Sequence, residues 1–142
     1  MSGSHNPRSR NVLLVDGDFR TAQRLADLLR DDGFDVEVAR DGAAAIARLA
    51  RGPLPDALVS ELKLPLADGT AVARFGRAQH PALRVIFVAR DPNLLAPAAL
   101  GSPPPEVLTK PVDYAHLLEV LKTGIFPRQG DSSSAAVGSG RS

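Results

Sequence analysis

Short apolar runs alternate along this chain with longer segments in which apolar residues recur at helical spacing. The first run, residues 12–15, contains only valine and leucine, which is typical of a strand buried on both faces. Residues 34–38 alternate apolar and polar side chains, which predicts an edge strand. The segment between them predicts a helix that Asp18 caps and Gly33 ends. Apolar residues follow Asp18 at helical spacing: Phe19, Ala22, Leu25, Ala26 and Leu29.

The alternation continues over most of the remaining chain. Five successive βα units predict an α/β fold with a parallel sheet and helices on both faces. The further strands are predicted at residues 57–60, 85–89 and 106–109. The further helices are predicted after Asp41, over residues 70–79, and from Asp113 to about residue 122.

The fourth unit departs from this pattern between Ala89 and Val107. Asp91 and Pro92 are typical of a helix start, but Pro97 would remove a helical hydrogen bond and clash with the preceding turn. Three consecutive prolines, 103–105, predict an extended segment. We therefore expect a shortened or broken fourth helix.

Composition narrows the possible functions. The 142 residues include 17 Lys and Arg against 16 Asp and Glu, and this balance does not indicate nucleic-acid binding. The absence of cysteine excludes disulfides and thiol chemistry, and no apolar run is long enough to span a membrane. We expect a cytoplasmic protein. Residues 1–10 and 125–142 are predicted to be flexible tails around one domain at 11–124.

Three charged residues follow predicted strands, and they define the candidate site. Asp16 follows the first strand, Glu61 the third and Lys110 the fifth. The carboxyl ends of parallel strands meet at one edge of a sheet, where open α/β sheets place their sites. We expect Glu61 and Lys110 to form an ion pair there, because an unpaired, partly buried charge would be costly.

Four motifs surround these residues: Leu14-Val15-Asp16, Pro55-Asp56, Leu64-Pro65 with Asp68-Gly69, and Thr109-Lys110-Pro111. Together they resemble the receiver domain of two-component response regulators, over roughly residues 11–124. The resemblance implies a flavodoxin-like, doubly wound (βα)5 fold with strand order 2-1-3-4-5.

The resemblance also implies a chemistry: an acidic pair that helps hold Mg²⁺, an aspartate that accepts a phosphoryl group, and a Thr or Ser that bonds it. A lysine before a cis-proline contacts the same group, and an aromatic residue three positions earlier reports the state. Here Asp16, Lys110 and Pro111 match that pattern. The other positions carry Gly17 in the acidic pair, Glu61 as acceptor, Ala89 for the hydroxyl and Val107 for the aromatic ring.

Each departure has a physical meaning. Gly17 supplies no oxygen ligand to Mg²⁺. The extra methylene of Glu61 moves its carboxylate by ~1.5 Å, an offset that can abolish in-line transfer. Ala89 cannot donate a hydrogen bond to a phosphoryl oxygen. We therefore expect no cofactor and weak or absent Mg²⁺ binding, with Asp16, Asp18 and Glu61 as residual candidate ligands.

These observations favour a degenerate, stand-alone receiver domain without enzymatic activity, which signals by constitutive binding to a protein. The expected partner is a histidine kinase or another regulator, and homodimerisation is an alternative. Glu61 is interpreted as a site-filling acid or as a fixed mimic of a phosphorylated aspartate.

Two other functions stay open at this point. One is a working phospho-receiver whose acceptor is Asp16 or Asp18. The other is a small-ligand-binding flavodoxin-like domain, although the acidic segment 16–18 would repel phosphate. The arginines at 74, 77, 84 and 90 are interpreted as a solvated face.

Overall fold

A computed structural model describes residues 10–91, 93 and 100–123 of the chain. These residues form a parallel sheet with helices on both faces. The strands are β1 Asn11–Val15, β2 Asp35–Ala39, β3 Ala57–Glu61, β4 Arg84–Ala89 and β5 Glu106–Thr109. The helices are α1 Phe19–Asp31, α2 Gly42–Ala50, α3 Gly69–Gln79 and α4 Tyr114–Thr123.

The strand order is β2-β1-β3-β4-β5, and every pairing is parallel, which confirms the predicted flavodoxin-like topology. In this register Val12 of β1 pairs with Val36 of β2 on one side and with Ala57 of β3 on the other. The predicted fourth helix falls on residues 92 and 94–99, which lie outside the described residues.

The core consists of two apolar layers, one on each face of the sheet. Val12 and Leu14 of β1 point into the layer covered by α1 and α4, whereas Leu13 and Val15 point into the layer covered by α2 and α3. All four side chains are nearly inaccessible, as a strand buried on both faces requires. The sheet is therefore doubly wound.

Aspartates begin the helices that surround the carboxyl end of the sheet. Asp18 and Asp41 accept hydrogen bonds from the first amides of α1 and α2, as predicted. Asp68 does the same for α3, because its side chain accepts the Ala71 amide. Gly42 is needed because a Cβ there would lie 1.9 Å from the carbonyl oxygen of Ala67, so the β3–α3 loop packs directly on the start of α2.

The interpretation of four arginines as one solvated face was wrong for two of them. Arg84 is 8% exposed and pairs with Glu106 at 2.8 Å. Arg77 is partly buried, and its guanidinium donates to the carbonyl oxygen of Leu83. Both side chains bury an aliphatic stem and aim their polar ends at groups distant in sequence. Arg74 and Arg90 are exposed as predicted.

Candidate functional site

The three predicted charged residues lie at the carboxyl end of the sheet. Backbone hydrogen bonds between neighbouring segments continue there just beyond the ends of β1 and β5. The Asp16 amide donates to the carbonyl oxygen of Ala39 at 3.1 Å. On the other side, the Lys110 amide donates to the carbonyl oxygen of Ala89 at 3.0 Å. Glu61 is itself the last residue of β3, one residue beyond the predicted end of that strand. Three separate segments are therefore fixed against one another before any side chain interacts.

Glu61 and Lys110 form the predicted ion pair. Lys110 Nζ contacts Glu61 Oε2, and the side chains are 22% and 18% exposed. The other carboxylate oxygen, Oε1, accepts the Gly17 amide at 3.0 Å. Glu61 thus joins the ends of β1, β3 and β5 with both of its oxygens engaged.

Asp16 lies next to this pair with a different electrostatic balance. It is 5% exposed and accepts the Asp18 amide at 2.8 Å. Burial raises the pKa of Asp16 to about 6, and the negative charge of Glu61 adds to this effect. Burial also acts to raise the pKa of Glu61, but Lys110 and the Gly17 amide outweigh it and the pKa is lowered. Glu61 is therefore the ionised member, and Asp16 is held near its titration point.

Asp18 is directed at helix α1 and away from the site. Its Oδ1 accepts the amides of Arg20 and Thr21, and its Oδ2 accepts the Thr21 hydroxyl at 2.9 Å. The hydrogen bond from the Thr21 hydroxyl is the main reason that the pKa of Asp18 is lowered. The Asp18 carboxylate therefore caps α1 and does not take the place of the acidic side chain that position 17 lacks.

The remaining predicted positions surround the ion pair without contributing charge. Ala89 is buried at the end of β4, and the Lys110–Pro111 peptide is cis. Val107 is half-buried and packs on the layer under α2 and α3. Gly17 is exposed, and a Cβ there would make only ordinary contacts, the nearest at 3.8 Å to Glu61 Oε1. The backbone therefore has room for a side chain at 17.

The side chains present do not fit the Mg²⁺ that a receiver chemistry would imply. Glu61 has both oxygens engaged, Asp16 is buried, and position 17 offers no ligand. Within the described residues, no group of three or more His, Asp or Glu side chains could hold a metal ion.

A groove that the sequence did not reveal opens beside the ion pair, between α1 and the turn after β5. Its cavity volume is about 630 Å³. One signal was present in the sequence: Arg20 and Arg24 are one helical turn apart on α1. The groove is lined by Arg20, Arg24, Leu25, Arg90, Pro111 and Val112, besides the site residues.

In the described part of the chain, no helix has the length and apolar character of a membrane span.

Comparisons with known proteins place these features in context. The response regulator receiver domain family matches residues 12–122. Sensory transduction protein RegX3 of Mycobacterium tuberculosis is 32% identical over 124 residues, 87% of this chain and 54% of its own length. Response regulator MprA of Mycobacterium leprae is 31% identical over 127 residues, 89% of this chain and 55% of its own. The chain spans about half the length of these curated relatives.

The fold is likewise similar to solved structures. A response regulator receiver protein from Sinorhizobium medicae has a TM-score of 0.73 at 27% identity, covering 82% of this chain and 94% of that one. The receiver domain of an HD domain-containing protein from Pseudomonas fluorescens has a TM-score of 0.71 at 29% identity, covering 81% and 93%.

Proposed function

The chain belongs to the receiver-domain family of response regulators, and we propose that it is a degenerate member, which signals by constitutive binding to a partner protein. It is a receiver domain of two-component signalling. Its signal does not depend on aspartyl phosphorylation. The ion pair between Glu61 and Lys110 is the observation that carries this proposal.

The ion pair occupies the place where a receiver would accept its phosphoryl group. One carboxylate oxygen of Glu61 is held by Lys110 and the other by the Gly17 amide. A nucleophilic carboxylate needs an oxygen that is free to attack in line, and small misplacements are costly for such a reaction. The resting site therefore has a carboxylate that is neutralised and fixed by its neighbours.

The two parts that would couple this site to the surface are also missing. Ala89 has no hydroxyl to follow a phosphoryl group, and Val107 has no ring to reorient. A ligand shifts a conformational equilibrium only through different contacts with the two states. Without these contacts, a phosphodonor has little means to change the partner surface, so partner binding is constitutive.

The partner is a histidine kinase or another regulator, and a second copy of the chain is the alternative. The surface proposed for it includes β5 and the segment that leads into it from Arg90. Glu106 and Thr109 of β5 are exposed, and Pro103 and Pro104 are exposed just before it. These described residues of the surface are accessible to a partner without a prior switch.

Mass spectrometry after incubation with acetyl phosphate and Mg²⁺ tests the loss of phosphorylation. We expect no acyl-phosphate adduct on the natural chain. The variant Gly17→Asp/Glu61→Asp/Ala89→Thr is the matched control, because it restores the acidic pair, the acceptor and the hydroxyl, and it should become modified. A stable adduct on Asp16 or Asp18 of the natural chain would instead support a working phospho-receiver with an unorthodox acceptor.

Binding to an identified partner tests the constitutive part. Affinity is measured with and without beryllofluoride and Mg²⁺, and equal values are expected. A tenfold change, about 1.4 kcal/mol, would contradict the proposal because it would require a surviving switch.

A further inference from the structure

Three exposed arginines on the groove beside α1 make no ion pair with any residue that the structure describes. Arg20 and Arg24 project from α1 one turn apart, and Arg90 follows β4. The ion pairs at this end of the sheet involve other cations, such as Lys110 with Glu61. The groove therefore has guanidinium groups whose hydrogen-bonding capacity is available to a ligand.

The position of Arg20 is unfavourable for the helix itself. It lies in the first turn of α1, which contains no acidic residue. The helix dipole places positive partial charge at this end, so a cation there is repelled and an anion is attracted. The Asp18 carboxylate at the N-cap offsets part of this repulsion, and a bound anion would add a further favourable interaction at the same end of α1.

The acids that also line the groove are already engaged. Asp18 uses both carboxylate oxygens on the amides and hydroxyl at the start of α1. Asp16 is 5% exposed and accepts the Asp18 amide. Both acids keep their charge, but Arg20, Arg24 and Arg90 line the same groove and outnumber them, so the groove still favours an anion.

The shape and the apolar wall of the groove indicate what is attached to the anion. Leu25, Pro111 and Val112 line the groove together with the cations. A volume of about 630 Å³ lies within the range of about 300–1,000 Å³ that is usual for small-molecule sites. Arginine binds phosphate oxygens in a bidentate manner and also stacks on flat rings. Cations and an apolar wall in one groove suit a phosphate ester with a flat, apolar body.

We propose that this groove binds a phosphorylated small molecule of the nucleotide class. The phosphates lie between Arg20, Arg24 and Arg90, and the base lies against Pro111 and Val112. This site goes beyond the proposed function, since it is separate from the acceptor position and needs neither metal nor phosphoryl transfer. It gives the domain a diffusible ligand as well as a protein partner.

Titration of the full isotopically labelled chain with ADP, pyrophosphate and glucose 6-phosphate, in EDTA, tests this site. None of these probes is an acyl phosphate, so a response cannot arise from aspartyl phosphorylation. We expect saturable amide shifts for Thr21, Leu25 and Val112 with ADP, and at least tenfold weaker binding of the other two probes.

Variants of the arginines provide the second test. Arg24→Gln and Arg90→Gln should each weaken ADP binding at least fivefold. The matched control Arg74→Gln changes an exposed arginine on α3 and should leave binding unchanged.

Several results would overturn the proposal. One is the absence of a saturable response to ADP up to millimolar concentration. Another is an affinity that is the same in the Arg24, Arg90 and Arg74 variants, since binding would then lie elsewhere. Equal affinities for ADP and pyrophosphate would exclude a role for the apolar wall and thus the nucleotide class. None of these results bears on the acyl-phosphate test, so the two proposals can fail separately.

Discussion

The two ends of the sheet use charge in different ways. At the amino-terminal end, charged groups join elements of secondary structure: Arg84 pairs with Glu106 across β4 and β5, and Asp56 accepts the Asn11 amide at the start of β1. At the carboxyl end, the two acids Asp16 and Glu61 lie beside one lysine, and Lys110 forms its ion pair with Glu61.

This difference separates stability from function within one domain. At the amino-terminal end, Arg84 pairs with Glu106, a residue of opposite charge. Such an ion pair contributes to folding and leaves no reactive group. Two carboxylates with one lysine leave one acid buried near its titration point, which is typical of functional sites. Ligands of open α/β sheets bind at the carboxyl ends of the strands. The residual chemistry of this chain should therefore be altered by changes at that end alone.

Restoring the acidic pair should have the largest effect. The natural chain should show no saturable Mg²⁺ response below millimolar concentration. Gly17→Asp with Glu61→Asp should bind Mg²⁺ about a hundredfold more tightly, about 2.8 kcal/mol, because it adds one oxygen ligand and withdraws another from Lys110. Calorimetry and amide shifts provide the measurement. Gly17→Asp alone should recover less, and tight binding by the natural chain would contradict the prediction.

At the opposite end of the sheet, Arg84→Ala should reduce stability without affecting the site. The loss should be about 2 kcal/mol, because a buried guanidinium and its hydrogen bonds to Glu106 and the Leu121 carbonyl disappear. Chemical denaturation measures it. The control Arg74→Ala removes an exposed arginine and should change stability by less than about 0.5 kcal/mol. If Arg84→Ala also alters the titration of Glu61, the two ends are coupled and the comparison fails.

The sequence predicted much of the carboxyl end and little of the amino-terminal end, for a physical reason. The carboxyl ends of three strands carry Asp16, Glu61 and Lys110. The strand pattern and the parallel topology therefore predict that these residues lie close together. Arg84 and Arg77 find their partners through packing of distant segments, as with Leu121 and Leu100, and local pattern carries no signal for that. The groove was missed because its walls come from three separate segments.

Removing the Lys110 side chain should change both the titration of Glu61 and the stability of the domain. In Lys110→Ala the pKa of Glu61 should rise, because its main favourable partner is lost. A lowered pKa in the folded state contributes stability that is present above the unfolded-state value and is lost in acid. The variant should therefore be less stable than the natural chain by about 1.5 kcal/mol at pH 7, with the difference shrinking as pH falls. Carboxyl titration by NMR is the direct measurement, and an unchanged Glu61 titration would show that the ion pair is absent in solution.

A gain in stability is expected from Asp16→Asn. The pKa of Asp16 is about 6 in the folded state, whereas that of a free aspartate is 3.8. Between these two pH values the folded state binds more protons than the unfolded chain, so the stability of the natural chain falls as pH rises. Asparagine keeps an oxygen to accept the Asp18 amide and carries no charge, so the variant avoids this loss. Denaturation curves should show equal stability near pH 4 and an advantage for the variant that grows as pH rises to about 6 and then stays constant. The control Asp35→Asn changes an exposed aspartate on β2 and should change stability by less than about 0.5 kcal/mol at pH 7. An Asp16→Asn variant less stable than the natural chain at pH 7 would mean that Asp16 is a second partner of Lys110, and the contrast between the two ends of the sheet would be lost.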